Sequence, residues 1–206
     1  MINENNIITV IGDINTCPEY SHECYGEKFY TFRLSVVRES GNADILPAIV
    51  SSRTSSIEDL TSGHTVAITG EIRTYNVQDC DRKRLIIQVY AQDIDFLQAQ
   101  HENRVEIFGT ICKPPVFRKT PHGREICDIL IAVNRNYGHS DYIPSITWSR
   151  NARYASAFDV GKTISAKGRL QSRDYYKRIG DTEEYETRTA IELSISQIFE
   201  SDGETE

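Results

Sequence analysis

A single tryptophan, a single methionine and six prolines stand among 206 residues. No apolar run reaches the roughly 18 residues that a membrane-spanning helix requires. The opening MINENN lacks the basic and apolar parts of a secretory leader. A cytoplasmic chain with no membrane contact is the expectation. No CxxC pair occurs, and the five cysteines, Cys17, Cys24, Cys80, Cys112 and Cys127, are odd in number and irregularly spaced. That pattern excludes a secreted disulfide framework and leaves reduced thiols. Cys17, His22, Cys24 and Cys80 are zinc-ligand types, but their spacing fits no common structural site, so no metal is expected. A Walker loop, an HExxH pair and a nucleophile elbow are missing too. His22, His64, His101, His122 and His139 are scattered and form no constellation with a carboxylate or thiol. Neither an enzyme nor a cofactor is indicated.

Net positive charge is also lacking, since the chain carries a formal charge of -7. The deficit is uneven. Residues 1–100 hold 8 basic and 14 acidic side chains, about -6, whereas the remainder before the terminal ESDGETE holds 15 and 12, about +3. A basic second half is where a polyanion would be met.

An internal repeat accounts for the division. TVIGDI (9–14) matches EIFGTI (106–111), FRLSVVR (32–38) matches ILIAVNR (129–135), and DILPAIVSSR (44–53) matches DYIPSITWSR (141–150), all at an offset of 97 residues. After a one-residue shift, GHTVAITGEIRT (63–74) falls on GKTISAKGRLQS (161–172). One domain has been duplicated.

Each copy alternates apolar and polar residues in short runs rich in Val, Ile, Thr and Tyr, broken by Gly, Pro and Asn. Such runs are strands. In copy 2 they are expected near 103–112, 124–136, 141–148, 162–172 and 187–199. One helix is expected between the third and fourth, capped by Ser149 and ended by Gly161. SSIEDLTSG, ending at Gly63, is the shorter equivalent in copy 1. The expected fold is all-β: two tandem OB-fold barrels, each of five strands with a short helix between strands 3 and 4. The boundaries are 1–99 for the first barrel, 103–200 for the second and 201–206 for a short acidic tail. FLQAQHEN between them is too short for independent tumbling.

Copy 2 resembles the DNA-binding domain of bacterial single-stranded DNA-binding proteins. NRVEIFGTI, PPVFRKTPHG, ILIAVNRNY, DYIPSITWSRNA and VGKTISAKGRLQSRDYY carry the resemblance, in the family's order, over about 95 residues. It implies rings on which DNA bases stack, at Tyr137, Tyr142, Trp148 and Tyr175. Tyr142 and Trp148 are an even number of residues apart and therefore share one strand face. Tyr176 should face the other way. Beside them Arg135, Arg150, Arg173, Lys177, Arg118 and Lys119 are candidates for phosphate contact, with Lys113, Arg124 and Arg178 as further basic residues of the hairpins.

Copy 1 has Ser40, Ile45 and Ser51 where copy 2 has Tyr137, Tyr142 and Trp148, and Val77 falls near the position of Tyr175. Its third strand DILPAIV is apolar on both faces, as in a strand covered on both sides. A structural or oligomerising barrel is expected, with Arg38, Arg53, Arg73 and Tyr75 as minor contacts. IFESDGETE is acidic without an apolar tip, so recruitment of replication proteins through the tail is not expected. The partner implied is single-stranded DNA, bound without sequence preference and without catalysis in replication, recombination or repair. A homodimer with four barrels is expected. The alternative is an OB-fold adaptor of primosome or mobile-element type with weak or no DNA binding.

Overall fold

The computed structural model describes residues 5–79, 82–135, 138–178 and 185–201. Its first copy contains β1 (Asn6–Cys24), β2 (Glu27–Val37), β3 (Ala43–Ser51), a single 3-10 turn (Ile57–Asp59), β4 (Thr65–Asp79) and β5 (Arg82–Phe96). The second contains β6 (Glu102–Ile111), β7 (Val116–Lys119), β8 (Glu125–Asn134), β9 (Ser140–Trp148), α1 (Ser149–Ala155), β10 (Thr163–Arg178) and β11 (Tyr185–Glu200).

Period-two burial closes each copy on itself. In β1, Asn6, Ile8, Val10, Gly12 and Ile14 are buried and the residues between them only half so. One face of the strand therefore points into a barrel. The ladder β1-β2-β3-β5-β4 returns to β1. In the second copy β6-β8-β9-β11-β10 returns to β6, with β7 added outside β8. The β3–β5 and β9–β11 pairs are parallel, and a parallel pair needs a crossover. The 3-10 turn and α1 lie in those crossovers. Each copy is an OB-fold barrel.

Two bends depend on glycine. Register shifts fall between Thr69 and Gly70 and between Lys167 and Gly168. A Cβ at Gly70 would lie 2.0 Å from the Tyr90 carbonyl oxygen, and one at Gly168 would lie 2.2 Å from that of Ser194. These are the aligned glycines of TGEIRT and KGRLQS, and strand closure requires both.

Three local features differ from the expectation. Ser149 does not cap α1: it is the first helical residue, with φ of 50°, and Trp148 occupies the cap position without a side-chain cap bond. Trp148 is still extended as the last residue of β9, so the chain turns sharply one residue later. The helix ends at Ala155, before Gly161. Ser156 Oγ donates to the Arg153 carbonyl oxygen, and Phe158 turns into the core. Third, β10 runs on to Arg178, paired throughout with β11, and β7 is a strand the periodicity did not separate.

The barrels are joined as a pseudo-symmetric pair. β1 and β6 pair antiparallel with Ile8 opposite Val105, its own counterpart 97 residues on, so a local two-fold axis passes between them. Buried apolar residues of both barrels form one contiguous cluster. At the flanks Asp44 accepts the Ser172 N–H and Ser172 Oγ accepts the Ile45 N–H. Asp141 likewise accepts the Thr74 N–H and Thr74 Oγ1 the Tyr142 N–H. Ile45 and Pro47 are half-buried on the outer side of β3, while Ile49 and Ser51 are buried there.

Candidate nucleic-acid interface

On β9, Asp141, Ile143, Ser145 and Thr147 are buried, whereas Tyr142, Pro144, Ile146 and Trp148 point to the other side. Tyr142 is 46 % exposed and Trp148 is half-buried. Ile146 is buried yet does not belong to the core cluster, and the same holds for Ile126, opposite Trp148. These residues floor an outer face.

Register extends that face across the sheet, because directly paired residues project to the same side. Ile146 stands beside Ser194 on β11, and Ser194 beside Arg169 on β10. Two-residue steps along β10 then bring Gln171, Arg173 and Tyr175 to the same side. Arg118 on β7 joins it through Ile126. Tyr176 falls on the opposite face. Trp148, Tyr142, Tyr175, Arg173 and Arg118 therefore share one surface. Tyr137 lies outside the described residues, as do Cys80 and residues 202–206 of the tail.

Within that surface the side chains separate into two grooves. Trp148 lies in a groove of about 390 Å³ with Arg38, Arg124, Arg169, Gln171, Ser172 and Arg173. Tyr175 lines a second groove of about 340 Å³ with Pro144 and, from the first barrel, Pro47, Leu85 and Ile86. Arg173 links them: its guanidinium carbon is 5.9 Å from the Tyr175 ring centre, and its Nε is 3.6 Å from Glu192.

The guanidiniums differ in what already holds them. Arg38 is ion-paired to the buried Asp44. Among the described residues Arg124 and Arg169 have no carboxylate within ion-pair distance, and the buried Arg169 Nε has no hydrogen-bond partner. Four guanidiniums against Asp44 and Glu192 leave the Trp148 groove positive. Arg150, at the exposed start of α1, and Lys177, beyond Tyr175, are likewise without a carboxylate partner among the described residues. Arg118 is bonded to Asp128 by two hydrogen bonds, and Lys119 lies 3.9 Å from Glu125 on the opposite face.

Arg135 is placed differently. Its Nε donates to Asp141 at 2.6 Å and its Nη2 to the Thr74 carbonyl oxygen at 3.0 Å. The hydrogen bond to Asp141 raises the guanidinium pKa further above its already high ordinary value. Arg135 is a strut between the barrels. Arg169 was not among the expected contacts, although its even spacing from Arg173 and Tyr175 carries the signal. Arg38 reaches the Trp148 groove from the other barrel, which no spacing within copy 2 reveals.

A planar ring edged by unneutralised guanidiniums suits a ligand with flat apolar faces joined by anionic links. Residues 102–198 match the model of the single-strand binding protein family. Single-stranded DNA-binding protein A of Bacillus subtilis is 34 % identical over 85 residues, covering 38 % of this chain and 49 % of that protein. Single-stranded DNA-binding protein 1 of Staphylococcus aureus is 32 % identical over 85 residues, 38 % of this chain and 51 % of that one. The chain thus spans about half the length of the curated relatives it matches. The crystal structure of the single-stranded DNA binding protein from Thermus aquaticus superposes with a TM-score of 0.73. It covers 98 % of this chain and 95 % of that one at 20 % identity, a likeness of fold. The match to the single-strand binding protein family thus lies in the second barrel, over residues 102–198.

Proposed function

We propose that this chain binds single-stranded DNA without sequence preference on the outer face of barrel 2. Bases stack on Trp148, Tyr142 and Tyr175, and phosphates meet Arg124, Arg169, Arg173, the exposed Arg150 and the half-buried Lys177. The observation that carries the reading is the half-buried Trp148 ring in a positive groove on an outer sheet face. Each stacked base contributes roughly 1–3 kcal/mol without reading sequence. Each neutralised phosphate adds affinity that falls with salt. The protein performs no catalysis and serves replication, recombination or repair in the cytoplasm. Two copies associate into a four-barrel unit.

Titration with oligo(dT) at two salt concentrations tests this, because Trp148 is the sole indole. Strong quenching and weaker binding at high salt are expected. No quenching at either salt would favour an adaptor that does not hold DNA. Light scattering tests the assembly, with twice the chain mass expected.

A further inference from the structure

Barrel 1 lacks an aromatic residue at the positions of Tyr142 and Trp148, yet its outer face has rings elsewhere. Phe29 on β2 stands opposite Ser51 on β3, and Tyr90 on β5 pairs with Ile49, two residues before Ser51. In barrel 2 the pair across the same two strands is Ile126 opposite Trp148. The large ring has moved from the third strand to the second.

The cluster has the geometry of a platform. Phe29 and Tyr90 have ring centres 6.5 Å apart. His22 is stacked on Phe29 at 4.9 Å with an interplanar angle of 12°. The Arg73 guanidinium lies 5.5 Å from the Tyr90 ring centre. Tyr75, two residues along β4 from Arg73, is 46 % exposed. Neither Phe29 nor Tyr90 belongs to the core cluster, whereas the neighbouring Tyr30 packs against it. These rings line a groove of about 350 Å³ that also contains Thr74 and Arg135. The groove therefore ends at the barrel junction, where the Tyr142 N–H meets Thr74.

Its charge is unlike that of the Trp148 groove. Arg73 is ion-paired to Glu71 at 2.6 Å and lies 3.6 Å from Asp141, which also holds Arg135. Two cations meet two carboxylates, so the groove offers flat rings with little net charge.

We propose that the outer face of barrel 1 is a second base-stacking platform, on which Phe29, Tyr90 and Tyr75 receive unpaired nucleobases of the strand held by barrel 2. This rests on the reading that barrel 2 holds single-stranded DNA. The two faces divide the work: barrel 2 takes bases and phosphates, and barrel 1 takes bases with little salt dependence.

The test moves the only indole. Trp148→Phe is combined with Tyr90→Trp in one full-length variant and with Tyr75→Trp in another, and each is titrated with long oligo(dT). Quenching in either variant is the expected result. In the natural Trp148 background, Phe29→Ala should lower affinity for long oligo(dT) about tenfold, as for loss of one stacking contact. The slope of affinity against salt should not change, because no phosphate contact is lost. Indoles at 75 and 90 that both stay bright while Trp148 of the natural chain is quenched overturn the barrel 1 platform alone. A Phe29→Ala chain binding as tightly as the natural one does the same. Silence of Trp148 in the natural chain removes the barrel 2 reading, and the barrel 1 platform falls with it.

Discussion

The carboxylate of Asp141, in the second barrel, accepts the backbone N–H of Thr74, in the first. Its counterpart Asp44 accepts the N–H of Ser172 in return. Each aspartate is fully buried, and each is also held by an arginine of its own barrel, Arg135 or Arg38. A buried carboxylate is tolerated only when its lone pairs are filled by charge and hydrogen bonds. Here at least half of those partners come from the other copy, so the barrels cannot separate without stranding two anions.

Asp141→Ala removes the acceptor of the Thr74 N–H and leaves Arg135 unpaired at the junction. Breaking a buried pair from one side costs about 3–5 kcal/mol. Urea unfolding should show a loss of that order, and a single transition should become two as the barrels uncouple. Arg135→Ala should act in the same direction while leaving the salt dependence of DNA binding unchanged.

The Trp148 groove should lose affinity by ring and by charge separately. Trp148→Ala is expected to weaken oligo(dT) binding by roughly 1–3 kcal/mol, the contribution of a stacked base. Arg124→Ala, Arg169→Ala and Arg173→Ala should each flatten the slope of log affinity against log salt by about 0.7, one phosphate apiece. Fluorescence anisotropy with labelled oligo(dT) across a salt series measures both.

The bulge glycines admit no side chain. In Gly70→Ala or Gly168→Ala a methyl group would meet a backbone carbonyl oxygen of the paired strand. The strand has to move, and overpacking against rigid backbone costs about 1–3 kcal/mol or more. Thermal unfolding should show both variants well below the natural chain. Gly123→Ala, in an open turn with φ of 77°, should cost less, since only backbone conformation is at stake.

Thiol reactivity should sort by burial. Cys17 and Cys24 are exposed, whereas Cys127 is buried. Burial, assisted by the neighbouring Asp128, pushes the Cys127 thiol up to about 11. At pH 8 its thiolate fraction is then about a thousandth, and alkylation requires the thiolate. Mass spectrometry after iodoacetamide treatment should find Cys17 and Cys24 modified quickly. Cys127 should react only after denaturation, or far more slowly at any pH below its raised pKa.

Much of this was legible without coordinates. The offset of 97 residues exposed the duplication, and alternation placed the strands of copy 2 within a few residues, apart from β7 and the far end of β10. The even spacing of Tyr142 and Trp148 put both on one side of β9, where the structure has them. Gly70 and Gly168 stood out only as matching residues of the repeat, and the register shifts beside them became visible in the fold. The helix cap was misread at Ser149 because a cap depends on where the preceding strand stops, and β9 runs through Trp148.

The sequence by itself determined the repeat, the two five-stranded barrels and the rings available on the second, because local periodicity and composition act over a few residues. Only the tertiary structure decided which charges are free. Arg135 looks like a neighbour of the aromatic set along the chain, but folding brings it to Thr74, 61 residues away. Arg38 crosses to the Trp148 groove, and Phe29 meets Tyr90 across the barrel. These are meetings between segments far apart in the chain, fixed by barrel closure and by the pseudo-two-fold docking of one copy on the other.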